Sequence, residues 1–563
     1  MKKKITRKPQ PKTGSDRIPS FATALAGILV GILILYYKVL INFFDGYYHS
    51  EKLLYDLCPP AFFESLNTLV GAGLIFLSFL WLVYAFTGRT KTDYFIKNNY
   101  HRIVFILLTC FFVLTLVTCY FKFFNNDEIE HVHSAWYLLQ GYIPFKDFFQ
   151  HHNPLLWYLL LPLLSLFGDS TLSIIAERFL MGGVLFGTAF LTYLTTAAIT
   201  KSRETGLVSV VLLFSTVLFM EKGIEIRPDG PQVLCGMASV YFLIRSFQDS
   251  SHRSMLFSGL FAALSFLFLQ KTIFLLASYG MVMAYGLYKR EISLKNMAFF
   301  FCGFLPPLLL FAGYLQLTGS FHDYLLTNWQ LNRHHLGSHQ VSSTPLRPML
   351  YSIKQSIFFW LLSGVAVVFV FLHKNTPREM RIATFLAIFQ LLSLQAYSVT
   401  FKHYYLFVIP LLCIPASYCL AHAFGACAIR ETKRVALILL LLLWAVPFML
   451  IHKGHSNRLQ LGKINYVLSL TRDKDLVYDG ANTFNLFRGD VHYFWYQLAT
   501  GLPNYNEISG NRFGDYDICE IIWAKRPKII SDVMLDYEKC GLRSLYDTTA
   551  YPHLYIRRDQ TSR

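Results

Sequence analysis

The chain has 563 residues, of which 54% are hydrophobic and only 15% charged, with 51 Phe and 34 Tyr. This composition excludes an ordinary soluble domain and predicts an integral membrane protein. The net charge of +17 does not signal nucleic-acid binding, because Lys and Arg recur in short clusters between apolar segments and no soluble basic domain carries them.

The first stretch, MKKKITRKPQPKTGSDR, is a basic tail (residues 1–19), read as disordered and cytoplasmic. No cleavable signal peptide is evident, and the apolar run that follows is long enough to stay as an anchor. Runs of 17 to 23 uncharged residues reach across about 30 Å of hydrocarbon at about 1.5 Å per residue. On that basis crossings are expected at 20–42, 62–86 and 102–121. The connection GRTKTDYFIKNNYHR is basic and reads as a cytoplasmic loop, which puts DEIEH at 127–131 outside.

The next apolar run, LLWYLLLPLLSLFG at 155–168, is too short to cross and contains Pro162, so it reads as interfacial or re-entrant. Further crossings are expected at 177–200, 206–220, 230–247, 255–270, 272–288, 296–317, 355–373, 381–399, 404–424 and 434–451. The fold class is thus an α-helical polytopic membrane protein of about thirteen crossings, amino terminus inside and carboxyl terminus outside. Two loops, 122–176 and 318–354, and a tail from 453 project outward. The tail alternates short apolar runs with turn signals and reads as a small α/β domain over 453–563, where Cys519 and Cys540 stand on the oxidising side. There is no fixed-period repeat, and no CxxC, HExxH, P-loop or dinucleotide fingerprint.

Ionisable groups gather at the expected outer ends. Helical spacing puts Asp127, Glu130 and His131 near one face, with Ser134 a turn further. Two readings stand side by side: a carboxylate base, or an N-terminal cap in which Asn126 or Asp127 takes the exposed amides and Glu130 completes the capping box. Downstream come Lys146, Asp147, His151 and His152; the adjacent histidines do not share a helical face, which speaks against a two-histidine metal site. EKGIEIRPDG places Arg227 and Asp229 on backbone broken by Pro228. Lys271, between two apolar runs, reads either as a partner for a phosphate or as a side chain snorkelling to headgroups. The second loop adds Arg333, His334, His335 and His339, with Gly337 weakening any helical metal pair. Lys402, His403, Tyr404 and Tyr405 return at the same level, and an interfacial belt is their plain alternative.

Carboxylates, cations and aromatics at one membrane surface suit a sugar carried on a polyprenyl phosphate. A carboxylate deprotonates an acceptor hydroxyl, and Lys or Arg neutralises the departing phosphate. The ordered set DEIEH, GYIPFKDFFQHHNPLLWYLLLPLLSLFGDS, RPD at 227–229 and FLQKT at 268–272 resembles the GT-C superfamily of polyprenyl-phosphate-sugar glycosyltransferases. Within it the chain is most similar to the bacterial branch related to protein mannosyltransferases and lipid A aminoarabinose transferases, over about residues 100–425.

The resemblance implies Asp127 as catalytic base with Glu128 beside it, a juxtamembrane helix at 155–168, and lipid-phosphate binding at Lys271, to which Arg227 and Lys402 add charge. It leaves Glu130, His131, Lys146, His151, His152, Asp229, His403 and Tyr404 for substrate binding, with HNP at 152–154 where relatives carry HPP. Two helices within 20–86 precede a core at 100–452. No residue is assigned to a metal, and a divalent ion stays open as a cofactor. The expected partners are the lipid-linked sugar, a glycan, lipid or protein acceptor, and the bilayer of a bacterial inner membrane, in cell-envelope assembly. A transporter or lipid flippase is the competing class; it favours charges at the bilayer midplane and two related halves.

Overall fold

A computed structural model of the chain describes residues 17–37, 67–68, 70–75, 78–79, 89–333, 346–396, 401–427, 431–450, 456–496, 498–514 and 517–558. Most of the expected crossing at 62–86, most of the basic tail, and His334, His335 and His339 lie outside them. Helix α1 spans Arg17–Tyr37, and α2 spans Arg89–Phe121. The segment read as a basic loop is therefore helical from Arg89 onward, because residues 89–101 contain neither Gly nor Pro to stop the helix.

The amphipathic α3 (Asn126–Leu139) follows, then the short apolar α4 (Leu155–Phe167), packed on it, and α5 (Thr171–Thr200). The 206–220 run is divided into α6 (Arg203–Phe214) and α7 (Val217–Gly223), which meet at 73°. Next come α8 (Asp229–Asp249), α9 (His252–Phe268), a 3-10 turn at Gln270–Thr272, α10 (Ile273–Tyr288) and α11 (Leu294–Thr318). After α12 (Phe321–Leu325) and a π turn at Leu326–Leu331, α13 (Leu346–Gln355) and α14 (Ile357–Leu372) precede α15 (Arg378–Ser393). A 3-10 turn at Lys402–Leu406 leads into α16 (Val408–Ala426), and α17 (Glu431–Leu450) completes the bundle.

Among the described residues four continuous helices are long and apolar enough to cross a bilayer: Tyr94–Phe121, Thr171–Thr200, Leu294–Thr318 and Lys402–Ala426. Two further crossings arise if the bent pairs α6 with α7 and Pro348–Gln355 with α14 each count as one. The other expected crossings fall on α1, α8, α9, α10, α15 and α17. Gly259 and Gly303 let α9 and α11 touch: a Cβ on Gly259 would sit 2.0 Å from the Phe300 carbonyl oxygen, so nothing larger fits.

The C-terminal domain has α18 (Arg458–Leu470), α19 (Leu498–Ser509) and α20 (Ile518–Lys525) around a five-stranded sheet. Its strands are β1 (Leu476–Tyr478), β2 (Gly489–Asp490), β3 (Ile529–Ser531), β4 (Tyr546–Thr548) and β5 (Leu554–Arg557). The order is β2-β1-β3-β5-β4, parallel for β2, β1 and β3 and antiparallel for the rest. Cys519 and Cys540 form a disulfide with Cα atoms 5.1 Å apart. One hydrophobic core joins this domain to α3, α4 and the loop between them, through Phe148, Phe149, Trp157, Phe494 and Trp495. A second core fills the helical bundle.

Candidate active site

The first turn of α3 is anchored before it can do chemistry. Asn125 is the N-cap and Glu128 its capping-box partner, one or two residues earlier than the Asn126 or Asp127 cap, and two earlier than the Glu130 partner, expected from sequence. Glu128 is wholly buried. Its carboxylate accepts from Asn125 N (2.9 Å), Ile226 N (3.1 Å), and Arg178 Nε (2.7 Å) and Nη2 (2.5 Å). Arg178 also donates to the carbonyls of Lys122 and Phe123, and its guanidinium lies 4.0 Å from the Phe124 ring centroid. All donors and acceptors of this pair point to protein, so Glu128 is the anchor of α3 rather than the catalytic group placed beside Asp127 by the resemblance.

Asp127 faces the other way. Its side chain is 41% exposed, and Oδ2 accepts from Arg227 Nη1. Arg227 comes from the irregular stretch that Pro228 imposes before α8; it also approaches Asp229 (3.4 Å) and donates to His403 Nε2 at 2.9 Å. Lys271, in the turn between α9 and α10, reaches Asp229 Oδ1 at 3.4 Å and sits 3.1 Å from the Tyr404 ring centroid. Burial pushes its ammonium down to about 8, opposed by the attraction of Asp229. The structure thus brings Asp127, Arg227, Asp229, Lys271, His403 and Tyr404 together from four separate segments of the chain. Lys402, next to His403 in the chain, instead lies 3.3 Å from the Tyr351 ring centroid, and the charges that act on it are those of Glu221, Lys222 and Glu225.

A second group lies one turn along α3. Glu130 is buried, accepts from Gln150 Nε2 at 3.1 Å, and faces Tyr496 of the C-terminal domain. Burial pushes its carboxyl up to about 7, and the hydrogen bonds from Tyr496 and Gln150 only partly oppose it. Burial likewise drives the imidazole of His131 down to about 3, helped by His151, and that of His152 well below its usual range, helped by His131 and Lys271. His151 Nδ1 is 2.9 Å from the Tyr496 hydroxyl. Gln270, the residue before Lys271, donates from Nε2 to the His151 carbonyl at 3.2 Å, which makes the two groups neighbours.

Could this second group hold a divalent ion? One ligand atom each from Glu130, His131 and His152 lies within 4.8 Å of the others, and His152 Nδ1 is buried without a protein partner. However, the Trp157 indole N–H donates to His131 Nδ1 at 3.2 Å. A neutral His131 therefore keeps its proton on Nε2, and neither ring nitrogen offers a free lone pair. The three residues as arranged do not fit a metal, and no chemical step is assigned to one.

Lys146 does not join either group. Phe145, with φ 69°, turns the chain here, and Lys146 donates instead to the Thr318 carbonyl at 3.1 Å from an exposed position. Sequence reasoning passed over Arg178, Lys122, Gln150 and Tyr496. Arg178 had a readable signal, a charge inside an otherwise apolar run of membrane length. Tyr496 had none, since its approach to Glu130 exists only once the C-terminal domain docks.

The family described as dolichyl-phosphate-mannose-protein mannosyltransferase matches residues 151–315. The structure is similar to that of ArnT from Cupriavidus metallidurans bound to undecaprenyl phosphate, with a TM-score of 0.61 and 11% identity over 81% of this chain and 97% of that one. The chain therefore shares its fold with ArnT. The apo form of the same ArnT gives a TM-score of 0.59 and 12% identity over 82% of this chain and 98% of that one. No curated protein sequence matches the chain.

Proposed function

We propose that the protein is an integral-membrane glycosyltransferase that moves a sugar from a polyprenyl phosphate to an acceptor hydroxyl at the outer face of the membrane. The observation that carries this reading is the half-open cluster at the start of α3: one exposed carboxylate, Asp127, bound to Arg227, with Lys271 joined to Arg227 through Asp229. The family match and the ArnT likeness support the reaction class.

In the proposed mechanism Arg227 holds Asp127 Oδ2, which leaves Oδ1 for the acceptor hydroxyl. Asp127 takes the hydroxyl proton as the oxygen forms its bond to the anomeric carbon in line with the departing phosphate. The C–O bond to the phosphate breaks, and its electron pair leaves with the phosphate, which needs no proton. Single displacement inverts the anomeric centre. Lys271 and Arg227 stabilise the charge that grows on the leaving group, and Lys402 adds to the positive field from further off. Tyr404 and Tyr351 carry Lys271 and Lys402 on their ring faces, which holds both ammonium groups without a tight anionic partner on Lys402. Glu130, Gln150 and the neutral imidazoles of His131 and His152 offer hydrogen bonds to sugar hydroxyls.

The test is a panel of labelled polyprenyl-phosphate sugars offered to the purified protein in nanodiscs with a cell-envelope lipid extract as acceptor. One donor is expected to give a product of inverted anomeric configuration by NMR. Retention of configuration contradicts the single displacement. Movement of intact lipid between leaflets with no transfer from any donor contradicts the reaction class.

A further inference from the structure

The strand β2 and the loop before it lie against α3, and their contacts fall at both ends and the middle of that helix. Asn126 Nδ2 donates to the Ala481 carbonyl at 2.9 Å. His133 is fully buried, with Nδ1 2.9 Å from the Leu486 carbonyl oxygen and Nε2 2.6 Å from Asp490 Oδ2. The Tyr137 hydroxyl donates to the same carboxylate oxygen at 2.9 Å and accepts from Asp490 N at 2.9 Å. A carbonyl only accepts, so His133 Nδ1 carries a proton and the ring is locked between loop and strand.

The loop itself is rigid. Asp479 Oδ2 accepts from the backbone amides of Thr483, Phe484 and Asn485 at 2.7, 2.7 and 2.9 Å. Asn485 Nδ2 then donates to Asp490 Oδ1 at 3.0 Å, and Asp490 is itself a residue of β2, paired to β1 in the sheet. The links from β2 and its loop to His133 and Tyr137 are hydrogen bonds between buried or half-buried groups, whereas the Asn126–Ala481 contact is exposed.

We propose that Asp490, acting through His133 and Tyr137, is a positioning residue: the C-terminal domain sets the attitude of the helix that carries Asp127. This rests on the glycosyltransferase reading above. His133 lies six residues along the same helix from Asp127, so a tilt at His133 is carried to the carboxylate by a stiff element. Misplacement of a reacting group by about 1 Å costs up to about 100-fold in rate. The C-terminal domain is then a working part of the active site rather than an appendage.

The experiment compares wild type, Asp490→Asn, Asp490→Ala and His133→Asn as full-length protein in nanodiscs. It reads donor turnover per folded molecule and hydrogen–deuterium exchange of amides 126–139. The expected result is a kcat about 10- to 100-fold lower with donor KM within about threefold of wild type, together with faster exchange over 126–133. In the double variant of His133 and Asp490 the loss is no greater than in the worse single variant, because one linkage has been removed twice. If the alanine variant does not accumulate, Tyr137→Phe removes one hydroxyl and keeps the ring, and a smaller loss of kcat with the same exchange pattern is expected. Unchanged kcat, or unchanged exchange, overturns the proposal. A wild type that transfers from no donor sinks the glycosyltransferase reading separately, and exchange over 126–133 then decides alone whether Asp490 holds the helix.

Discussion

Two charge networks meet at the first turn of α3, and both also draw on the stretch between α7 and α8. In the closed one, Glu128, Arg178 and the carbonyls of Lys122 and Phe123 use up one another's hydrogen bonds, and both side chains are fully buried. Lys122 and Lys222 each reach Glu225 at 2.8 Å beside it, and burial of that carboxyl is outweighed by the two ammonium groups, which hold it below its usual range. In the open one, Asp127 is 41% exposed, and Lys271 is held by an aromatic face and a 3.4 Å contact to Asp229. A network saturated by protein groups fixes a helix. A network left partly unsaturated has room for a ligand that brings its own charge.

Breaking the closed network has the largest expected effect. Glu128→Ala leaves the Arg178 guanidinium buried without its carboxylate, a loss of about 3–5 kcal/mol. The protein is expected to disappear from membranes, checked by quantitative blotting and thermal stability in detergent. Normal abundance would show that the anchor is dispensable. In the open network Lys271→Met keeps the length of the side chain and removes the charge. Donor KM is expected to rise by about 10-fold, with folded protein unchanged, because a charge-assisted contact to phosphate contributes about 1.5–3 kcal/mol at most sites.

Glu130→Gln sharpens the comparison through pH. The folded carboxyl titrates near 7 against an ordinary value of 4.5, so the unfolded chain releases this proton first as pH rises. The stability that goes with the protonated form is complete below about pH 4.5 and is lost as pH rises through about 7. Glu130→Gln is therefore expected to match wild type in Tm at pH 4.5 and to exceed it by a few degrees at pH 8. A constant offset across that range contradicts a buried, cation-free Glu130. The smallest effect is expected from Lys402→Met, a KM increase of about two- to fivefold, since Lys402 lies at the rim and only adds to the field at the phosphate.

The sequence and the fold agree where periodicity, length and charge speak locally. The apolar run 155–168 was too short to cross, and it forms the thirteen-residue α4. The turn and strand signals after 453 predict the mixed domain found there, and the resemblance carried by DEIEH, RPD and FLQKT agrees with the likeness of the fold to ArnT. Reading Arg89–His101 as a loop failed because basic residues report the side of the membrane and not the state of the backbone, and that stretch has no helix breaker. The cap was displaced by one or two residues because Asn125, Asn126 and Asp127 are equally good N-caps by chemistry, and only the burial of Glu128 against Arg178 selects among them. Leu486 and Asp490 against His133, and Tyr496 against Glu130, are more than 350 residues away in sequence, and no local pattern reports such contacts.

The central claim is that the exposed carboxylate of the open network is the base. The direct measurement is single-turnover transfer from a preloaded, labelled polyprenyl-phosphate sugar by wild type and by Asp127→Asn in nanodiscs, at matched amounts of folded protein. A fall of about 10²- to 10⁴-fold in the transfer rate, with donor binding and Tm close to wild type, is the predicted result. Equal rates from the two proteins would contradict the account and remove Asp127 from the chemistry.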